Sequence, residues 1–530
     1  MRRRRWFASM VKPARRFLVG GLCFLAFLAL ACVGEFDRPP PESSTITILY
    51  GGDEWVLGPQ ADDYPQRLVF LALVRLDENG DPQPRLAESW DHSPDYRTWT
   101  IRLRRDVRWH DGVPVTARDV LFSMELWTHP DVLYWTAGPI ESSSLPDDYT
   151  LTVTFAKATQ RPLDGWSSIY PKHLLEQLDP SGYYVWEFWT QPVGNGSYRY
   201  VRHIPKTMIE LEANPDYYRG KPRIERVLLK GTGGANALVE LLSGNVDAIR
   251  GVSEADVLKV AEDPRFRIYR QVNAGWSRGL MWNHRHPLFR DARVRLALTL
   301  AIDRREVHRV LNLPEDTPLF DGIYTRRQYR RGDLGAAWPY DRERAKQLLV
   351  EAGWVDRDVD GVREREDIEA SFELLVGVAM RGTFRTYERA AISLQEQLDE
   401  VGIRVNLHTL DAGLVGERLR TGEFEASLSI FPHNPRDILR RGLFSEESPN
   451  SYVNPELVRL LEAADSKVGP EATDSLYREM REIFRQELPF LFLYPHGWSS
   501  VVHRRVRGLH PPHRVNLFSH MEELWLEEEP

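Results

Sequence analysis

RLAESW (Arg85–Trp90), then TWTIRLR (Thr98–Arg104), then VRWHDGVPVTARDV (Val107–Val120): these three runs decide how the chain is read. Thr98–Leu103 alternates polar and apolar side chains, the period of a strand with one buried face. Asp111-Gly112 supplies a tight turn, and Thr116 predicts the cap of a helix reaching Trp127. Trp109-His110-Asp111-Gly112 therefore reads as a hairpin, with the indole packing and Asp-Gly turning. Strand, turn and helix in such close succession mark an α/β protein.

The same signals extend outward. Thr45–Tyr50 and Asp148–Phe155 read as strands, and Gln66–Val74 as a helical stretch. Asp291 predicts a helix cap, with Val294, Ala297, Leu298 and Ala301 on one face. Asp341 predicts another, with Ala345, Leu348, Leu349 and Ala352 buried and Gly353 ending it. A helix over Arg389–Val401 ends at Gly402 and feeds the strand Ile403–Leu407. Pro455–Ala464 and Asp474–Gln486 read as helices. Phe490–Tyr494 is apolar throughout, the pattern of a strand buried on both faces.

The chain has 530 residues, enough for about three domains. Its formal charge is −8, but the first 31 residues hold seven basic residues and no acidic one. Beyond them 62 basic residues face 77 acidic ones, a net of −15. So acidic a body lacks the basic footprint that nucleic-acid binding needs.

Phe17–Gly34 carries no charge and follows an arginine-rich start, the build of a secretory signal peptide. Ala29-Leu30-Ala31-Cys32 resembles a bacterial lipobox, with Ala29 where Leu is usual. Residues 1–31 then form a signal peptide, Cys32 the lipid-bearing residue, and 32–44 a proline-containing tether. Both cysteines, Cys23 and Cys32, lie in this leader. The body has no thiol for nucleophilic catalysis or for zinc and iron–sulfur ligation.

There is no His-Glu-x-x-His and no phosphate loop, and no enzyme activity, catalytic residue or cofactor is expected. Asp356, Asp358, Asp360 and Gly361, with Asp367 at the twelfth place, have calcium-loop spacing. Arg363 stands where such loops are apolar, and Arg357 and Arg365 add positive charge. The reading preferred is a solvated acidic turn, with those four carboxylates the nearest approach to a metal site. His284-x-His286 lacks a third ligand and reads as a pair of surface or loop histidines.

Taken together the words resemble the family 5 extracellular solute-binding proteins, the peptide- and nickel-binding components of ABC importers. Besides the opening runs, Pro192–Tyr198 is similar to the family's glycine loop. Asn214–Pro222, Leu242–Asp247, Asp291–Leu298 with Ala301–Arg304, and Tyr340–Trp354 follow in the family's order.

The resemblance implies two α/β lobes joined by a hinge, the periplasmic-binding-protein-like fold of the large three-domain type. Lobe I takes 45–75, 199–285 and 488–530, with a smaller domain, 76–198, inserted; lobe II takes 286–487. It implies a lipid-anchored, monomeric protein outside the cytoplasm, in a periplasm or at the cell surface. Such a protein captures a peptide or other small solute and delivers it to a membrane permease with its ATPase subunits. An extracytoplasmic sensor signalling through a membrane partner is the alternative. Dipeptide-binding members place an aspartate before an Asp-Pro to pair with the peptide's amino terminus. Here Ser429–Pro435 holds no carboxylate and Asp437 is displaced, which speaks against α-amine recognition. The resemblance leaves Phe431, His433 and Asp437, with Tyr50, Trp166, Tyr170, Trp276 and Trp282, as candidate cleft residues.

Overall fold

A computed structural model describes residues 44–527, apart from 50–63, 78–80, 130, 133–138, 160, 164–166, 206, 232–235, 379–383, 447, 467–469, 510–516 and 519. Cys32, Tyr50 and Trp166 lie outside the described residues, as do the signal peptide and nearly all of the tether. No helix among the described residues is long and apolar enough to cross a membrane.

Most expected elements form where their side chains dictate. The strand Thr98–Leu103 buries Trp99, Ile101 and Leu103. Thr116 and Asp119 form a capping box on the helix Ala117–Thr128, satisfying amides that the first turn leaves unpaired. Asp291 and Asp341 cap Ala292–Ala301 and Arg342–Glu351 through their carboxylates. Past the second of these helices Gly353 takes φ +87°, the left-handed turn that favours glycine.

One ten-stranded mixed sheet organises the fold. From one edge its order is Arg404–Asp411, Ser371–Val378, Ala426–Pro432, Phe266–Trp282, Phe490–His503, Ala248–Val252, Thr45–Leu49, Arg226–Lys230, Met208–Ala213 and Tyr198–Ile204. A separate antiparallel sheet holds Ala87–His92, Thr98–Leu103, Thr150–Phe155 and Ile140–Asp147.

The central antiparallel pair, Phe266–Trp282 and Phe490–His503, is unusually long at 17 and 14 residues. Its two ends lie in different cores. Phe490 and Phe492 enter one apolar cluster while Leu491 and Leu493 enter another. Further along the same strand, Val501 and Val502 enter two other clusters. Side chains alternate faces along a strand, so a strand with a core on each side must be apolar at every position. That explains the run Phe490–Tyr494.

The runs that carry the resemblance are bolted to one another. His110 donates its amide to the Gly194 carbonyl at 2.7 Å, and its Nδ1 accepts from the Gly194 amide at 3.3 Å. Its Nε2 donates to the Gly196 carbonyl at 3.1 Å. Burial pushes His110 down to about 4, so the ring is neutral at pH 7. Asn214 donates to the same Gly196 carbonyl, and the Asn195 side chain accepts from the Leu71 amide. A Cβ on Gly194 or Gly196 would lie 1.9 Å from the Val69 carbonyl or 2.2 Å from the Leu68 carbonyl. Asp247 accepts from the Thr47 amide and the Arg505 guanidinium.

Candidate ligand-binding site

The ladder between the two long strands breaks near its middle. Pairing runs from Phe266↔His503 to Val272↔Gly497 and resumes at Ser277↔Pro495. Gly275 and Trp276 lie within this interruption, half-buried. The groups around it are cationic and aromatic. Arg278 lies 4.5 Å above the Tyr387 ring, Arg250 lies 4.6 Å above Trp498, and Arg441 lies 5.3 Å from Trp276. Gln271 fixes Trp498 by accepting from its indole N–H at 2.9 Å, and also accepts from Ser500.

The electrostatics point one way. His496, between Tyr494 and Trp498 in sequence, is pushed down to about 3 by burial and by the charges of Arg278 and Arg250. It is neutral at pH 7. A guanidinium over an aromatic ring gains a cation–π contact, as Arg278 does over Tyr387.

Several candidates converge here. Trp276 pairs across the sheet with Pro432, and Ser277 with Phe431. Asp437 lies in the first turn of the helix Pro435–Arg440, where Asn434 donates to its carboxylate; Arg441, over Trp276, ends that helix. Phe431 and His433, though adjacent, are buried rather than open to a cleft. Phe431 sits 4.2 Å from Phe490 and packs on Phe484 and Phe492, a burial contributing about 1.5–3 kcal/mol. The Tyr324 amide donates to His433 Nδ1, so the ring proton sits on Nε2 and is donated to Ser277 Oγ at 2.7 Å. Burial pushes His433 down to about 3.

Tyr170 and Trp282 lie elsewhere and offer no surface to a solute. Tyr170 accepts from Gln66 at 2.7 Å in the first core; Trp282 stacks on Phe289 at 4.9 Å in another. Sequence reasoning missed Arg250, Gln271, Arg278, Tyr387, Arg441 and Trp498.

The acidic turn closes differently from its spacing. Asp356 and Asp358 converge with Glu364, each offering an oxygen within 4.8 Å of the others. Asp360 accepts instead from the Val362 amide, and Asp367 sits at the tip of the hairpin pairing Arg365 with Ile368. The pairing Glu364↔Glu369 carries Asp367 out of the loop, so calcium-loop counting fails. A second set, His520, Glu522 and Glu523, also has metal-ligand spacing. His284 lies in a turn and is half-buried, its ring packing on Tyr452 at 4.8 Å, and burial pushes it down to about 3.

Residues 81–437 match the model of bacterial extracellular solute-binding proteins, family 5, middle region. The chain belongs to this family. It is 25% identical over 483 residues to the oligopeptide-binding protein AppA of Bacillus subtilis (strain 168), covering 87% of each chain. It is 26% identical over 442 residues to the di/tripeptide-binding protein 2 of Pseudomonas aeruginosa (strain UCBPP-PA14), covering 77% of this chain and 80% of that one. Its structure is similar to that of NikZ from Campylobacter jejuni in complex with Ni(L-His), with TM-score 0.77 and 25% identity. That match covers 91% of this chain and 99% of NikZ. The fold is therefore that of a family 5 solute-binding protein, and the relatives named bind oligopeptides, di- and tripeptides or a nickel–histidine complex.

Proposed function

We propose that this family 5 protein is the substrate-binding subunit of an ABC importer, capturing a peptide or related carboxylate-bearing solute between two lobes. One observation carries the reading. Two long strands pass between separate pairs of apolar cores, and their ladder is interrupted where arginines and aromatic rings gather. Cores resist deformation while an interrupted ladder bends, so the interruption is where two lobes would hinge on a solute. The division we propose follows the cores, with the lobe boundary at 272–277 and 495–497. The segment 76–198 then belongs with lobe I, because its apolar residues share the core of Ile46 and Val227.

Arg278 favours a ligand carboxylate, and Ser429–Pro435 holds no carboxylate for an α-amine. Peptides, and nickel held by histidine, both carry carboxylates. The relatives' names speak for peptide binding. Lipid attachment at Cys32 would keep the protein beside its permease, outside the cytoplasm.

Isothermal titration of the full chain in detergent, with synthetic peptide mixtures and with the nickel–histidine complex, tests the reading. Saturable heat from at least one is expected; none from either counts against this solute class.

A further inference from the structure

Far along the chain from the strand interruption, a cavity of about 250 Å³ is lined by Arg75, Pro84, Arg85, Arg104, Tyr218 and Arg219. Four guanidiniums around one small cavity must repel one another unless anions answer them. The protein supplies part of that answer. Glu523 is shared, its Oε1 lying 3.3 Å from Arg75 Nη1 and 3.0 Å from Arg219 Nη1. Asp106 accepts from Arg104 at 2.9 and 2.6 Å, and Arg104 rests 4.4 Å from the centre of the Tyr218 ring.

Arg85 is the exception. It is only 8% exposed, yet its Nη2 makes no hydrogen bond among the described residues. Its ion-pair partner, Glu522 Oε1, is 3.9 Å away, and the Tyr217 hydroxyl beside it makes no hydrogen bond of full geometry with Arg85 Nη2. A buried cationic donor without an acceptor is costly, and such groups in native folds usually have a partner. The cavity that Arg85 lines has the size of a small oxyanion with a few waters.

We infer that this cavity is a second binding site, for a small oxyanion of the carboxylate or phosphate class. Arg85 Nη2 donates to one ligand oxygen. Arg75 and Arg219, which share a single carboxylate, have donor capacity for another, and guanidinium geometry suits both anions. The site does not rest on the solute-binding reading, because it shares no residue with the strand interruption.

The test is titration of the full chain in detergent with phosphate and with succinate, at ionic strength held constant with chloride. Saturable binding that chloride does not reproduce is expected, weakened about tenfold or more by Arg85→Gln and by Arg219→Gln. Arg219 is half-exposed, so its variant keeps the test sharp if Arg85→Gln fails to fold. Vesicles of phosphatidic acid and of neutral lipid separate the sources. If the anion is a lipid headgroup, Arg219→Gln weakens capture by the acidic vesicles; if it is free, capture is unchanged. No saturable binding of phosphate, succinate or the acidic vesicles, or equal binding of phosphate and of succinate by wild type and Arg219→Gln, overturns the proposal.

Discussion

Arg304 and Asp321 form an ion pair sealed inside the second half of the molecule, with Nη1 2.6 Å from Oδ1 and the side chains 2% and 1% exposed. The pair does more than cancel charge. Arg304 also donates to the carbonyls of Phe320, Trp338 and Phe492, and Asp321 accepts from the Trp338 amide. One guanidinium thus ties a helix, a loop and a long central strand together. Asp321→Ala leaves a buried cation uncompensated and is expected to cost about 3–5 kcal/mol in urea unfolding. Arg304→Lys should also destabilise, because an ammonium cannot span the same carbonyls.

Gly196 faces the Leu68 carbonyl with no room for a methyl group. Gly196→Ala must push two backbone segments apart, and a loss of about 2–4 kcal/mol is expected. Thermal unfolding checks this, with exposed Gly416→Ala as the control, since nothing lies near its Cβ position.

His433 has its ordinary value of 6.5 when unfolded and about 3 when folded. The unfolded chain therefore binds the extra proton between those values, and the native state loses stability as pH falls from about 6.5 toward 3. At pH 5 this one residue accounts for about 2 kcal/mol relative to pH 7. His284 and His496, also pushed down to about 3, add to the same acid sensitivity. Urea midpoints should fall between pH 7 and pH 5, and His433→Gln should fall less steeply.

Cys32→Ser removes the proposed site of lipid attachment. The variant is expected in the soluble extracytoplasmic fraction, with the wild type in the membrane fraction. Retention of both in membranes would favour an uncleaved anchor.

Local chemistry was legible where it acts over a few residues. The caps at Thr116, Asp291 and Asp341 and the alternation of Thr98–Leu103 depend on neighbours in sequence, and each formed as read. Gln66–Val74 reads as helix but stops at Val69. Its continuation fails because the Val69 carbonyl accepts from the amides of Asn195 and Gly196, and the Leu71 amide is taken by Asn195. That competition comes from more than a hundred residues away. Phe266–Trp282 was missed because its two ends pack in different cores on either side of Asn273-Ala274-Gly275, so no single period runs through it. The candidate site was hidden for the same reason. Arg250, Arg278, Tyr387 and Trp498 lie on separate elements and carry no local motif.

The central claim is that solute is held at the interrupted ladder by Arg278 and its neighbours. Native mass spectrometry of wild type and Arg278→Ala, purified in parallel from the host, tests it most directly. Arg278 is half-buried on the Tyr387 ring, so the variant should fold, and circular dichroism verifies this. The expected result is a co-purified small molecule on the wild type, its occupancy lowered about tenfold or more in the variant. Equal occupancy in the two proteins, or no bound solute on either, would contradict the account.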